Sequence, residues 1–235
     1  MNPAIFNLCK NSTINCYKVG EEQEPVLQAD SFFEGIEDLK AIAVDASNFD
    51  VSDSYYPGIR MPLPTIYSAA LAKHLQHYIR NFFGCDLKRV KKVASRFSIV
   101  TTPPERLNLM QRIPHFDAPT KSSLAVIHYL VDAPNYGTGL YRHNKTGFEY
   151  VDSGRYERYM REIGSTYSEP ALYPDGYICG DTEEFSLLKS FDAVCNRLIM
   201  YRGSSLHSGM IGKNYNFDPN PATGRLTIAT FFEFY

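Results

Sequence analysis

A mainly β fold with supporting helices, an antiparallel sandwich or barrel backed by N-terminal helices, is the class this sequence predicts. Three observations predict it. Two amphipathic helical patterns fall in the first third of the chain. From about residue 89 the pattern changes to short β-branched and aromatic runs closed by Pro, Gly and Asn. No linker, repeat or low-complexity tract divides the 235 residues. The chain is therefore read as a single domain over 1–235, with 1–88 a helical support region and 89–235 the β core.

The first helix is expected from Ser31 and Glu34, a capping-box pattern, followed by Ile36, Leu39, Ile42 and Ala43 at helical spacing. The second is expected over about Thr65 to Phe83, where Ile66, Ala70, Leu71, Leu75, Tyr78, Ile79 and Phe82 form an apolar face and Gly84 supplies a stop. Between them, Tyr55-Tyr56-Pro57-Gly58-Ile59-Arg60 reads as a loop. Strands are then expected over Val93–Thr101, Leu107–Asp117, Ser123–Val131, Gly139–His143, Phe148–Val151, Arg197–Tyr201, Ser205–Ile211 and Leu226–Tyr235. A helix over Arg155–Ile163 interrupts them, and Glu183-Glu184 after Asp181 reads as the charged start of another.

Composition sets outer bounds. With 44% hydrophobic and 14% aromatic residues, disordered and fibrous classes are excluded. The 24 basic and 26 acidic side chains give a net charge of −2, so no nucleic acid partner is expected. No apolar run reaches the ~20 residues of a membrane span, and Met1-Asn2-Pro3-Ala4-Ile5 lacks signal-peptide character. No membrane association is expected and a cytoplasmic location is. Five scattered cysteines without a C-x-x-C pair read as reduced structural thiols.

The chemistry begins at His115-Phe116-Asp117. On a strand, residues two apart project from one face, so an imidazole and a carboxylate would enter one cavity together. Alone, the tripeptide fits equally a surface histidine beside an unrelated aspartate. His207, before a small-residue turn on a late expected strand, offers a third ligand. Two histidines and one carboxylate suit the facial site of non-haem Fe(II) oxygenases. On the last strand Arg225 and Thr227 share a face, and a buried guanidinium there calls for an anion, either a ligand carboxylate or a protein salt bridge. If Leu107–Asp117 is a regular strand, Gln111 also shares the face of His115 and Asp117. There it would contact cofactor, substrate or a water beside the metal, or satisfy a barrel-end carbonyl.

In these residues the sequence resembles the Fe(II)- and 2-oxoglutarate-dependent dioxygenases, especially the prolyl-hydroxylase-like branch. The likeness covers roughly 90–235. The family's His-x-Asp and distant His fall on His115, Asp117 and His207. Its Arg-x-Ser/Thr, which holds the distal carboxylate of 2-oxoglutarate, falls on Arg225 and Thr227, and its co-substrate tyrosine on Tyr129 of Tyr129-Leu130. Ala118-Pro119-Thr120 and Gly137-Thr138-Gly139-Leu140-Tyr141 look like that branch as well. The Tyr-Tyr-Pro-Gly-Ile-Arg turn and the Pro114-His115 junction point to an uncharacterised bacterial subgroup of it. His207 and Arg225 stand farther apart than is usual in the family, and Lys213–Thr223 reads as a longer hairpin loop over the site.

The resemblance implies a double-stranded β-helix (a jelly-roll or cupin-like barrel), Fe(II) as cofactor, 2-oxoglutarate as co-substrate and O2 as oxidant. It implies hydroxylation of an amino acid, peptide or small metabolite with release of succinate and CO2. A carboxylate at Asp117 favours hydroxylation over halogenation, since halogenating relatives vacate that position. Two other readings stand beside it. One is a non-catalytic ligand- or partner-binding module on the same barrel. The other is a cupin-like metalloenzyme without 2-oxoglutarate, which would give Arg225 no role. Sequence alone leaves oligomeric state open.

Overall fold

A computed structural model describes residues 3–46, 48–51 and 55–235. Eleven strands among them form two sheets. In chain order the strands are β1 (Thr13–Val19), β2 (Glu24–Asp30), β3 (Asp50–Val51), β4 (Gly58–Pro62), β5 (Val90–Val100), β6 (Ser123–Tyr129), β7 (Ala133–His143), β8 (Phe185–Ala193), β9 (Leu198–Arg202), β10 (His207–Gly209) and β11 (Leu226–Phe234). Helices α1 (Ile36–Asp45), α2 (Thr65–Asn81), α3 (Leu109–Arg112) and α4 (Tyr156–Thr166) lie between them.

The larger sheet runs β1-β2-β9-β6-β11-β5-β4-β3 and the smaller β10-β7-β8, with every pairing antiparallel. An isolated bridge between His115 and His207 adds the extended segment around His115 beside β10. From β5 onward the chain therefore passes back and forth between the sheets. It places β5, β11, β6 and β9 side by side in one, and the His115 segment, β10, β7 and β8 in the other. That is the strand order of a double-stranded β-helix, so the expected fold is the observed one. Neither sheet closes on itself.

Alternation explains the layering. One set of major-sheet side chains, including Val26, Ala125, Tyr129, Ile199 and Tyr201, meets Leu140, Phe191 and Ala193 of the minor sheet. The opposite set, including Leu27, Phe97, Leu124, Val126, Ile228 and Phe232, packs with Leu39 of α1 and Tyr67, Leu71, Leu75 and Ile79 of α2. Each fully buried leucine or isoleucine of α2 contributes about 2 kcal/mol in lost apolar exposure. The two helices thus shield the back of the sheet and leave its front for chemistry.

Several local expectations are corrected. Residues 1–88 carry four strands, β1–β4, besides α1 and α2, so this region extends both edges of the major sheet as well as supporting it. Ser31 does not cap α1: its φ is +49°, and the helix starts after Gly35 without a side-chain cap. Leu107–Asp117 is not one strand, because Asn108 and Gln111 close a reciprocal capping box that winds Leu109–Arg112 into a helical turn. Only the stretch after it is extended. No helix follows Glu183-Glu184: Asp181 accepts from Leu187 N, and Phe185 onward pairs with β7 as β8. No described helix is long and apolar enough to cross a membrane.

Candidate metal centre

His115, Asp117 and His207 converge. One donor atom from each lies within 4.8 Å of the other two. Backbone pairing brings them together: His115 N donates to His207 O and His207 N to His115 O, both at 2.9 Å. One step farther along, Asp117 N donates to Gly203 O at 2.7 Å and Gly203 N to Ser123 O at 2.9 Å. Gly203 is demanded by space, since a Cβ there would stand 2.6 Å from Ser123 Oγ and 3.5 Å from Asp117 Cβ.

The His207 ring has a fixed orientation. His207 Nδ1 lies 2.9 Å from Ser205 O, a carbonyl that only accepts, so Nδ1 carries the proton and Nε2 is left with its lone pair. Nε2 stands 3.6 Å from Asp117 Oδ2. The ring centres of His115 and His207 are 4.4 Å apart, and that of Tyr201 lies 4.6 Å from His207.

Electrostatics agree with this use. Burial, then the neighbouring His207, pushes His115 down to about 4, and burial pushes His207 down to about 4. Burial raises Asp117 to about 6, opposed by His115 and Arg60. At neutral pH both imidazoles are therefore uncharged and the carboxylate ionised, the protonation states a divalent cation requires. The Asp117 side chain keeps 20% exposure, so the centre is open on one side. Two neutral nitrogens, one carboxylate and an open face are a donor set suited to Fe(II).

The expected co-substrate residues stand farther along the interior. Arg225 is buried and donates Nε to Tyr136 O and Nη2 to Gly137 O at 3.0 Å. Its guanidinium lies 5.6 Å from the Tyr129 ring centre, and Nη1 makes no hydrogen bond among the described residues. It also lines a cleft of about 450 Å³ with Tyr136, Tyr215 and Gly224. Thr227 Oγ1 donates to Ser98 O at 3.2 Å, and Tyr129 OH is 2.7 Å from Thr138 Oγ1. Arg225, Thr227 and Tyr129 are thus gathered at one end of the major sheet's inner face. Gln111 is not with them: its Oε1 accepts from Asn108 N and its Nε2 donates to Tyr55 O.

Three neighbours lie in quoted motifs that gave them no role. Thr138 reaches Tyr129 from the minor sheet. Tyr56 neighbours both Thr227 and Arg225, which oppose the rise of its phenol to about 12 caused by burial. Arg60 lies across the sheet from Ser98. Pro57-Gly58 marked this segment as loop, and Gly58–Pro62 carries no alternation that would have placed Arg60 on a strand.

Arg142 and His143 close β7 away from the three donors and are engaged within the protein. Arg142 pairs with Glu149 and Glu21, and His143 is fully buried.

A family model described as "Family of unknown function (DUF6445)" matches residues 10–232. No curated protein matches. Among solved structures the chain is similar to SnoK, a non-haem α-ketoglutarate-dependent carbocyclase from nogalamycin biosynthesis. That likeness has 10% identity, covers 89% of this chain and 79% of that one, and gives a TM-score of 0.49. It is similar to a Pseudomonas putida prolyl-4-hydroxylase at 10% identity, covering 99% and 98%, with a TM-score of 0.39. HygX from Streptomyces hygroscopicus, solved with nickel and 2-oxoglutarate, is 13% identical over 84% and 77%, with a TM-score of 0.41.

Proposed function

This chain belongs to DUF6445, a family of unknown function, and we propose that it is a non-haem Fe(II)- and 2-oxoglutarate-dependent oxygenase that hydroxylates an amino acid, peptide or small metabolite. The observation that carries this reading is the meeting of His115, Asp117 and His207 within 4.8 Å, with His207 Nε2 kept free by the bond from Nδ1 to Ser205 O. The charge and motif order of the residues around it support the second half of the reading.

His115, Asp117 and His207 would hold the metal, which when bound supplies activation of O2 at the expense of 2-oxoglutarate, yielding succinate and CO2. The chain's own part is binding and orientation. Asp117 supplies a single negative charge, which leaves a divalent site with one positive charge to attract a dianionic 2-oxo acid. Arg225 would take the far carboxylate through Nη1, held in place by the carbonyls of Tyr136 and Gly137. Tyr129 would offer its phenol to the same group by exchanging its bond to Thr138. Thr227 would steady that end through its bond to Ser98 O. Retention of the Asp117 carboxylate favours return of hydroxyl over transfer of halide.

Two measurements test this. Under anaerobic conditions, Fe(II) with 2-oxoglutarate should give a visible metal-to-ligand charge-transfer band and, once air is admitted with a substrate, succinate. Asp117→Ala should lose both while its circular dichroism is preserved. Absence of the band in the unaltered protein, or succinate release by the variant, would overturn the reading.

A further inference from the structure

Arg60 has no role in the scheme above, yet it stands inside it. In an antiparallel ladder, directly paired residues project from the same face. Arg60 pairs with Ser98, Ser98 with Thr227, and Thr227 with Tyr129, so one row crosses β4, β5, β11 and β6 on the face that Tyr129 shares with Tyr201. Tyr201 touches His207. Arg60 is therefore directed to the front of the sheet, and its charge is felt at both His115 and Asp117.

Two carboxylates are near it, Asp50 opposite on β3 and Asp117, whose charge it feels, but neither closes an ion pair with it. The guanidinium lies 4.2 Å from the Tyr56 ring centre, and its buried Nε has no acceptor. It enters no ion pair among the described residues. Arg96, on the same face of β5, adds a like charge close enough to oppose it. A partly buried cation with an idle donor and a second cation beside it is an expensive arrangement unless a ligand completes it.

Arg225 is a separate position. The Tyr56 phenol feels both guanidinium groups. If the metal, Asp117, Arg225 and a 2-oxoglutarate dianion are assembled as proposed, their formal charges cancel and Arg60 is left without a bonded anion among the described residues. We infer that Arg60 receives the carboxylate of the primary substrate, so that the substrate class is a small molecule bearing a free carboxylate. This rests on the oxygenase reading above. A planar fork beside an aromatic face is suited to bidentate capture of a carboxylate, and anchoring one end of the substrate fixes which of its C–H bonds faces the centre.

The test uses the full chain loaded with Ni(II), which holds the co-substrate without turnover. A first calorimetric titration measures 2-oxoglutarate. A second adds free L-amino acids, 2-hydroxy acids and simple aliphatic acids, each against its own primary amide. At least one acid should bind tenfold or more tightly than its amide. Arg60→Gln should weaken that acid tenfold or more while 2-oxoglutarate affinity stays within twofold, which also shows that the variant folds. Arg225→Ala should weaken 2-oxoglutarate instead, and Arg60→Lys, which keeps the charge, should bind the acid more tightly than Arg60→Gln. The inference is overturned if no acid in the panel binds, if the amides bind equally well, if Arg60→Gln leaves acid binding unchanged, or if it weakens 2-oxoglutarate. Loss of 2-oxoglutarate binding by the unaltered protein would instead sink the oxygenase reading, a result seen in the first titration.

Discussion

At the scale of single residues, the centre depends as much on what is missing from a side chain as on what is present. Gly203 binds the backbone on both sides of the site, accepting from Asp117 N and donating to Ser123 O, and has no room for a methyl group. Gly203→Ala is expected to cost about 1–3 kcal/mol of stability through overpacking and to weaken metal binding by displacing Asp117. In a Ser123→Ala background the added methyl loses its nearest obstacle, so a good part of the loss should return; urea unfolding of the four-member cycle measures this. An undiminished loss in that background would show that the contact with Ser123 Oγ is not the cause. The three donor-bearing side chains that converge were legible in sequence because metal chemistry restricts candidate ligands to few residue types. The need for Gly203 and the placement of Arg60 and Tyr56 were not, since a close approach and a face of a sheet exist only after strands from distant parts of the chain pair.

At the scale of elements, the period-two pattern revealed β5, β6, β9 and β11, whose faces are strongly apolar. It missed β1–β4 and β8; in β1 and β4 exposed or half-buried positions dilute the signal. It also misread the approach to His115, because alternation in Leu107–Asp117 was outweighed locally by the Asn108–Gln111 capping box. That misreading placed Gln111 at the site. The loop after β10, read from sequence as lying over the site, packs beside Arg225. Tyr136, Tyr215, Phe217 and Tyr177 follow one another at ring separations of 5.2, 5.0 and 6.1 Å, forming an aromatic strap beside Arg225. Tyr215 OH donates to Val100 O and accepts from Arg225 N. Tyr215→Phe removes both bonds, at a cost of about 1 kcal/mol. It is expected to raise the 2-oxoglutarate Kd several-fold with metal affinity unchanged, as titration of each ligand would show. Equal weakening of both ligands would mean that the strap supports the whole mouth and not the Arg225 end.

At the scale of the molecule, the helices behind the major sheet are joined to it by a buried polar network as well as by apolar packing. Asn196, at φ +62°, donates its side-chain N–H to Phe33 O and its backbone N–H to Tyr129 O, while its Oδ1 accepts from Phe33 N. That Oδ1 also lies 3.1 Å from His128 Nε2, so Nε2 is the protonated nitrogen and Nδ1 accepts from Tyr67 OH of α2 at 3.0 Å. One neutral imidazole thus ties α2, β6 and the turn before β9 together, and burial pushes its pKa down to about 4. The ordinary imidazole value is about 6.5. Above that pH neither folded nor unfolded chain protonates His128, and its contribution to stability is intact. Between about 6.5 and 4 the unfolded chain takes up a proton that the folded chain refuses, so stability falls as pH falls, by about 1.4 kcal/mol per unit. His128→Gln keeps a donor and an acceptor but cannot titrate. It should be less stable than the unaltered protein at pH 7.5, and between pH 6.5 and 5 it should lose about 2 kcal/mol less of its own stability. Urea unfolding of the metal-free protein at the two pH values decides it: parallel losses in both proteins would mean that His128 is already charged in the folded state and that the Asn196 network does not depend on its neutrality.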